Sequence, residues 1–276
     1  MENLTAKSFE LRKDVVEMIR AGKAGHIGGD MSVMDVLVSL YFNVMNVSPD
    51  KADDPDRDLF IMSKGHAVEA LYAVLAAKGY FPIEQVIKEY SQFGSQFIGH
   101  PNNHLPGIEM NSGSLGHGLP VAVGMAIAGK MDQSDRRVYV VMGDGELAEG
   151  SVWEGAMSAT QYNLDNLCAV VDRNRLQISG STEDVMHADP LEARFAAFGW
   201  NVLDVDGNDI DALNAAFEVA KSVKGKPTVI IANTIKGFGS PVMENKAAWH
   251  HHVPSDEEYE QIMKDLEDHR KEAVNE

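Results

Sequence analysis

Residues 137–171 read RVYVVMGDGELAEGSVWEGAMSATQYNLDNLCAVV. Two short apolar runs, Arg137 to Met142 (RVYVVM) and Leu167 to Val171 (LCAVV), enclose a helical stretch, Gly150 to Gln161. Runs of this length, rich in β-branched residues, suit buried strands rather than helices. The alternation continues with Trp200 to Val205 (WNVLDV) and Thr228 to Ala232 (TVIIA), and helices are predicted over Pro190 to Phe198 and Asp209 to Val223. Strands alternating with helices specify an α/β fold, a parallel sheet with helices on both faces.

Working outward, Leu4, Leu11, Val15, Met18 and Gly22 recur at helical spacing and predict a first helix. Gly22, Gly25, Gly28 and Gly29 are expected to break it, with a second helix from about Ser32 to Phe42. An acidic loop from Pro49 to Asp58, a strand at Phe60 to Met62 and a helix from Ala67 to Lys78 follow. Gly94 to Gly116 holds five glycines, two prolines and two histidines without periodicity. That is a long loop, and long loops in compact domains are often functional. Ser255-Asp256-Glu257-Glu258 is a capping box that opens an acidic terminal helix. With no linker, repeat or low-complexity tract, residues 1–276 are expected to form one domain, with an N-terminal helical extension.

Composition narrows the function classes. The chain has 42 acidic and 24 basic residues, a net charge of −18, and a single cysteine, Cys168. The excess of negative charge argues against nucleic acid as a partner. One cysteine excludes a disulfide scaffold and an all-cysteine metal site. The apolar run Leu119 to Gly129 is too short to span a bilayer, and Met1 to Lys13 lacks the apolar stretch of a signal peptide. A soluble protein of a reducing compartment, the cytoplasm, is expected, with no membrane partner.

Three features carry chemistry. Gly143-Asp144-Gly145 follows the strongest strand, so Asp144 is expected at a strand's carboxyl end, where α/β sheets place ligands. Asn174 comes 30 positions later, just after the next strand. A carboxylate and an amide oxygen at one sheet edge suit a hard cation such as Mg2+ bound with a diphosphate, although each is also a common turn residue. Second, Gly113-Ser114-Leu115-Gly116-His117-Gly118 opens a small-residue helix whose free N–H groups suit an anion or simple close packing. Third, His26, His66 and His100 lie among glycines, and His250 begins a run to His252. Loop-borne histidines suit proton transfer near neutrality, while the run 250–252 could alternatively bind a transition metal.

Taken together, the text resembles the transketolase family. The matching segments are GHIGGDMS around His26, SKGHA around His66, GHP at His100, GSLGHGL from Gly113, GDGELAEGSVWE from Gly143, DRNRLQISG from Asp172, TIKGFG from Thr234, and Trp249-His250. Gly-Asp-Gly followed by Asn is the family's thiamine-diphosphate motif. The resemblance implies a thiamine-diphosphate-binding fold, here the diphosphate-binding domain, with thiamine diphosphate and Mg2+ as cofactors and Ca2+ or Mn2+ as substitutes. It places Asp144, Asn174 and the carbonyl of Leu176 on the metal, and the Gly145 amide on the diphosphate. Gly113, Ser114 and Leu115 would lie against the aminopyrimidine. His26, His66, His100 and His250 would line the substrate channel. Gly29, Lys64 and Lys236 would stand near the channel and diphosphate, and Glu149 at a subunit interface.

The implied reaction moves a two-carbon ketol unit from a ketose phosphate donor to an aldose phosphate acceptor. Family members are more than twice as long, so the resemblance points to the N-terminal subunit of a split transketolase. Such a subunit would be active only with a C-terminal partner chain, in an α2β2 assembly. Deoxyxylulose-phosphate synthases, the α chains of 2-oxoacid dehydrogenases and a non-catalytic cofactor-binding module are the alternatives. The pairing of SKGHA with GHP argues against the dehydrogenases. Asp30, His117 and Ala148 depart from the family pattern, and a carboxylate at Asp30 could perturb the diphosphate end or contact a different donor.

Overall fold

The computed structural model describes residues 3–275. Five parallel strands, β1 (Leu59–Met62), β2 (Val138–Gly143), β3 (Leu167–Arg173), β6 (Asn201–Asp206) and β7 (Thr228–Asn233), form one sheet in the order β1-β2-β3-β7-β6. A two-stranded antiparallel hairpin, β4 (Leu176–Gln177) with β5 (Gly180–Ser181), stands just beyond β3.

Strand side chains alternate between two cores, as the pleat requires. Phe60, Tyr139, Val141, Cys168, Val170 and Ile230 point to one face. Ile61, Val140, Met142, Ala169, Val171 and Ile231 point to the other. Both sets are buried, which is why these strands read as continuous apolar runs. Helices α5 (Gly118–Met131), α6 (Gly150–Gln161) and α8 (Leu191–Ala197) cover the second face, with the short α7 (Thr182–Val185) before α8. On the first face lie α1 (Leu4–Gly22), α2 (Ile27–Ser39), α3 (Val68–Ala77), α9 (Ile210–Ser222) and α10 (Asp256–Asn275). Reversal of strand order between β6 and β7 sends α9 to that opposite face, as right-handed crossovers dictate.

The terminal helices pack on each other. Asn3 caps α1 by accepting the Ala6 amide at 2.9 Å, and the capping box of α10 is formed by Ser255 and Glu258. Arg12 of α1 is fully buried and grips Asp35 of α2 with both amino groups, at 3.1 and 2.6 Å, which ties the first two helices together.

Several boundaries differ from the sequence reading. The second helix begins at Ile27, not Ser32, so Gly28 and Gly29 lie inside α2 instead of breaking the chain. All thirteen residues of α2 are buried, and small residues in its first turn are what let loops close over it. Its end widens into a π-turn over Leu40–Val44. A short helix, α4 (Ile83–Glu89), and the β4–β5 hairpin have too few residues to register as periodic patterns. The loop expected over 94–116 is present between α4 and α5.

Candidate active site

A cleft of about 780 Å³ opens at the carboxyl ends of β2 and β3. The parallel register pairs Gly143 with Asp172, so Asp144 and Asn174 leave neighbouring strands at the same level. Asp144 accepts the Gly145 amide at 2.9 Å and the Arg175 amide at 2.6 Å. Asn174 Oδ1 accepts the Leu176 amide at 3.2 Å, which turns the chain into the β4–β5 hairpin and leaves the Leu176 carbonyl to receive Lys236 Nζ at 3.0 Å. Two side-chain oxygens and one backbone carbonyl thus gather on one wall of the cleft. Burial, then the neighbouring charge of Asp172, raises the Asp144 carboxyl to about 6. A carboxyl held in this way favours a cation beside it.

Buried polar groups hold this wall in place. Asp172 is fully buried and receives the Lys64 ammonium, the Thr234 hydroxyl and, at 2.7 Å, the Ser32 hydroxyl. Burial opposes its charge, but Lys64 and the hydroxyls outweigh it and hold the carboxyl below its usual range. Glu146 accepts the Gly143 amide at 3.1 Å, the Gly116 amide at 2.8 Å and the Ser63 hydroxyl. That one carboxylate joins the loop after β2 to the glycine loop before α5 and to the end of β1.

His26, His66 and His250 also line the cleft, and His100 stands beside them just outside its lining. The His26 ring lies 5.3 Å from that of His66, 6.1 Å from His100 and 5.6 Å from His250, centroid to centroid. Four segments far apart in sequence therefore deliver one cluster. His26 is lowered to about 4 by burial and then by His251, and His250 to about 3 by burial and then by Lys236. Burial also lowers His66 and His100. At neutral pH all four are uncharged imidazoles, each with one donor and one acceptor nitrogen. Lys236 bonds His250 Nδ1 at 3.0 Å and is lowered to about 8 by burial and then by Lys64.

Close approach explains the glycines. At Gly113 φ is +134°, and a Cβ would stand 2.7 Å from His100 Cδ2. A Cβ on Gly28 would meet the Trp249 carbonyl at 2.6 Å. These contacts seat His100 and the His250 loop against the cluster.

Of the residues singled out in the sequence, His26, Lys64, His66, Gly113, Leu115, Asp144, Gly145, Asn174, Leu176, Lys236 and His250 line the cleft. Gly29 is buried behind it, with its carbonyl taken by Lys64 at 2.9 Å. Ser114 and Glu149 are exposed outside the cleft, Glu149 at the start of α6. Asp30 does not reach the cleft. It is fully buried and turned onto the Ala70 amide, which corrects the expectation that it perturbs the diphosphate end or the donor. The run 250–252 is not a metal site either, because its side chains diverge. His250 meets Lys236, His251 faces His26 at 4.8 Å, and His252 bonds Glu258 at 3.0 Å. No cluster of three or more His, Cys, Asp or Glu suited to a metal occurs among the described residues.

Glu146, Asp172 and Gln177 were not singled out by the sequence, and His251 was noted only as part of the run 250–252. Glu146 carried the one usable signal, its place in the Gly-Asp-Gly-Glu turn. Gln177 matters because its Nε2 is buried without a partner in the cleft beside Asp144 and Asn174, a free donor for an anionic ligand.

Residues 5–273 match the family model for the transketolase thiamine diphosphate binding domain. The chain belongs to the transketolase family. It is 50% identical over 266 residues to an apulose-4-phosphate transketolase subunit of Phocaeicola vulgatus, covering 96% of this chain and 94% of that one. It is 42% identical to a 6-deoxy-6-sulfo-D-fructose transketolase subunit of a Clostridium species, covering 93% and 94%. Transketolase from Leishmania mexicana superposes with a TM-score of 0.86 at 28% identity. That superposition covers 100% of this chain but 45% of the Leishmania protein, so the chain spans just under half of that solved transketolase. Every residue lining the cleft falls within the matched thiamine diphosphate binding domain. No helix among the described residues is long and apolar enough to cross a membrane.

Proposed function

We propose that this chain is the diphosphate-binding subunit of a two-chain, cytoplasmic transketolase that uses thiamine diphosphate and Mg2+. It moves a two-carbon ketol unit from a ketose phosphate to an aldose phosphate. Its partner is a separate chain with the C-terminal half of the enzyme, in an α2β2 assembly, with Glu149 at a subunit interface. The full-length likeness to the Phocaeicola protein makes apulose 4-phosphate the first substrate to test.

The observation that carries this reading is the meeting of Asp144, Asn174 and the Leu176 carbonyl on one wall of a cleft that also holds Lys64 and Lys236. An all-oxygen donor set of this kind fits Mg2+, with Ca2+ or Mn2+ as weaker substitutes. The free Gln177 Nε2 and Lys236 fit a diphosphate.

Thiamine diphosphate supplies the electron sink that ketol transfer requires. The chain's own residues do the rest. Asp144, Asn174 and Leu176 hold the metal, and Lys236, Gln177 and the Gly145 amide orient the diphosphate. Gly113 and Leu115 form the surface under the aminopyrimidine, with Ser114 on the outer side of the same turn, while Gly29 and Lys64 seat the histidine loops. His26, His66, His100 and His250 are uncharged, so their free nitrogens accept protons from sugar hydroxyls and return them to alkoxide oxygens.

Coexpression with the partner chain tests the reading. The purified pair is expected to transfer a ketol unit between sugar phosphates when thiamine diphosphate and Mg2+ are present, and the isolated chain is expected not to. Turnover by the isolated chain at the rate of the pair would remove the two-chain reading. A pair that binds both cofactors yet transfers no ketol unit from any ketose phosphate would remove the transketolase assignment.

A further inference from the structure

Asp30 and Glu69 take no part in the chemistry above, yet both are fully buried. Asp30 sits in the first turn of α2 and accepts the Ala70 amide at 3.0 Å. Glu69, in the first turn of α3, accepts the hydroxyl of Tyr90 at the end of α4. The bond to Ala70 sets the Asp30 carboxyl beside Glu69, the residue that precedes Ala70 in the chain. Their remaining oxygens, Asp30 Oδ2 and Glu69 Oε2, have no hydrogen-bonding partner. Ionised carboxylates are acceptors only, so a bond between them requires a proton.

The surroundings leave no other way to satisfy the pair. Lys64 is the cation acting on Asp30, but its ammonium is already bound to Asp172 and the Gly29 carbonyl. Tyr90 and the backbone amide of His26 favour charge on Glu69, and Tyr72 on α3 also faces it. Two bare carboxylates face to face in this apolar setting would repel strongly.

We propose that Asp30 and Glu69 share one proton at neutral pH and act as a positioning clasp that sets the first turn of α2 against the start of α3. His26 immediately precedes α2 and His66 closely precedes α3, so the clasp sets the 5.3 Å separation of those rings. Little slack exists to absorb a shift. Gly28 lies against the Trp249 carbonyl, and a Cβ on Gly25 would stand 2.7 Å from Glu69 Oε1. Burial, followed by the Glu69 charge, raises Asp30 well above the usual carboxyl range, and burial raises Glu69 to about 7. The effect on turnover rests on the transketolase reading above, whereas the proton itself is measurable without substrate.

The first measurement follows thermal unfolding of the full chain against pH for wild type, Glu69→Gln and Asp30→Asn. The folded pair binds a proton that the unfolded chain releases at ordinary carboxyl pKa values. Its stabilisation is therefore present at low pH, falls as pH rises toward about 7 where Glu69 titrates, and falls further as the shared proton leaves at higher pH. Either amide carries its own N–H donor across the same gap and does not titrate. Wild type is expected to lose melting temperature relative to both variants as pH rises, and to show a carboxylic-acid infrared band at neutral pH that each variant weakens. Equal pH slopes and an unchanged band in whichever variant folds would overturn the proposal.

The second measurement uses the reconstituted two-chain enzyme. Glu69→Gln is expected to keep kcat/KM within a few-fold and to lose the wild-type decline between neutral and alkaline pH. Glu69→Ala is expected to lower kcat on the order of tenfold or more, as misplaced catalytic groups do. An Ala variant with the wild-type kcat and pH profile would overturn the positioning role. Failure of the wild-type pair to transfer any ketol unit would count against the functional reading, while the melting and infrared results would still decide the shared proton.

Discussion

Lys236 Nζ lies 3.0 Å from the Leu176 carbonyl oxygen and 3.0 Å from His250 Nδ1. One ammonium thus joins the wall assigned to the metal to the histidine cluster, holding in place an oxygen that the cation would take. Within the cleft the charges of Lys64 and Lys236 are matched by those of Asp144 and Glu146. Lys236→Met removes the donor while keeping most of the side-chain length. Thiamine diphosphate affinity in the two-chain complex is expected to fall by on the order of tenfold or more, the usual loss for a charge-assisted bond to phosphate. Isothermal titration at fixed Mg2+ measures it, and unchanged affinity would detach Lys236 from the diphosphate.

Asp144→Ala tests the metal wall. It removes the charged oxygen ligand and also leaves the Gly145 and Arg175 amides without their acceptor. Mg2+-dependent binding of thiamine diphosphate is expected to be lost, while the melting temperature of the chain alone changes modestly. Titration of the variant with the cofactor, with and without Mg2+, gives the answer. Retained metal dependence would show that the cation sits elsewhere.

His66→Ala separates channel from cofactor. The His66 ring stands 5.3 Å from both His26 and His250, so its removal opens the cluster without touching Asp144 or Asn174. The reconstituted enzyme is expected to lose on the order of a hundredfold or more in kcat, typical for a proton-transfer group, with cofactor affinity changed only a few-fold. Steady-state kinetics beside cofactor titration distinguishes the cases. A loss confined to cofactor affinity would move His66 out of the channel.

Asp172→Ala is expected to be the most destabilising of these changes. It strands the Lys64 ammonium in the interior and strips the Thr234 and Ser32 hydroxyls of their acceptor. Breaking a buried pair from one side costs about 3–5 kcal/mol. Urea unfolding should show a lower midpoint at unchanged slope, and the Lys64→Met/Asp172→Ala double variant should recover part of the loss. A single variant as stable as wild type would mean that Lys64 finds another partner.

Acid stability follows from His26. Burial, then His251, lowers it to about 4 against an ordinary value near 6.5, so the folded chain binds fewer protons than the unfolded chain between those limits. The histidine's contribution to stability is present above pH 6.5 and is lost as pH falls toward 4. Melting curves of wild type and His26→Gln across this window should converge as pH falls. Parallel curves would place His26 in contact with water.

The strands were legible because a sheet buried on both faces leaves an unmistakable record. Val138 to Met142 are apolar at every position, since odd and even residues enter different cores. Asp144 and Asn174 were legible because each stands where a strand ends, and parallel neighbours end at one level. Gly28 and Gly29 misled. Glycine ordinarily marks a break, but here the missing side chains let Lys236, Trp249 and Lys64 close over a helix. Asp30 misled for a related reason. Its partner Glu69 lies on another helix, and no local pattern relates the two.

What the sequence determined by itself was the order of strands and helices, the loop-borne histidines, the candidate metal ligands and the resemblance that joined them. These follow from local periodicity and from motifs, which are properties of neighbouring residues. Only the tertiary structure decided which histidines face one another, that His251 joins them while His252 turns away, and that Asp30 closes on Glu69. Those outcomes depend on contacts between segments far apart in the chain, where burial and charge depend on the whole packed molecule.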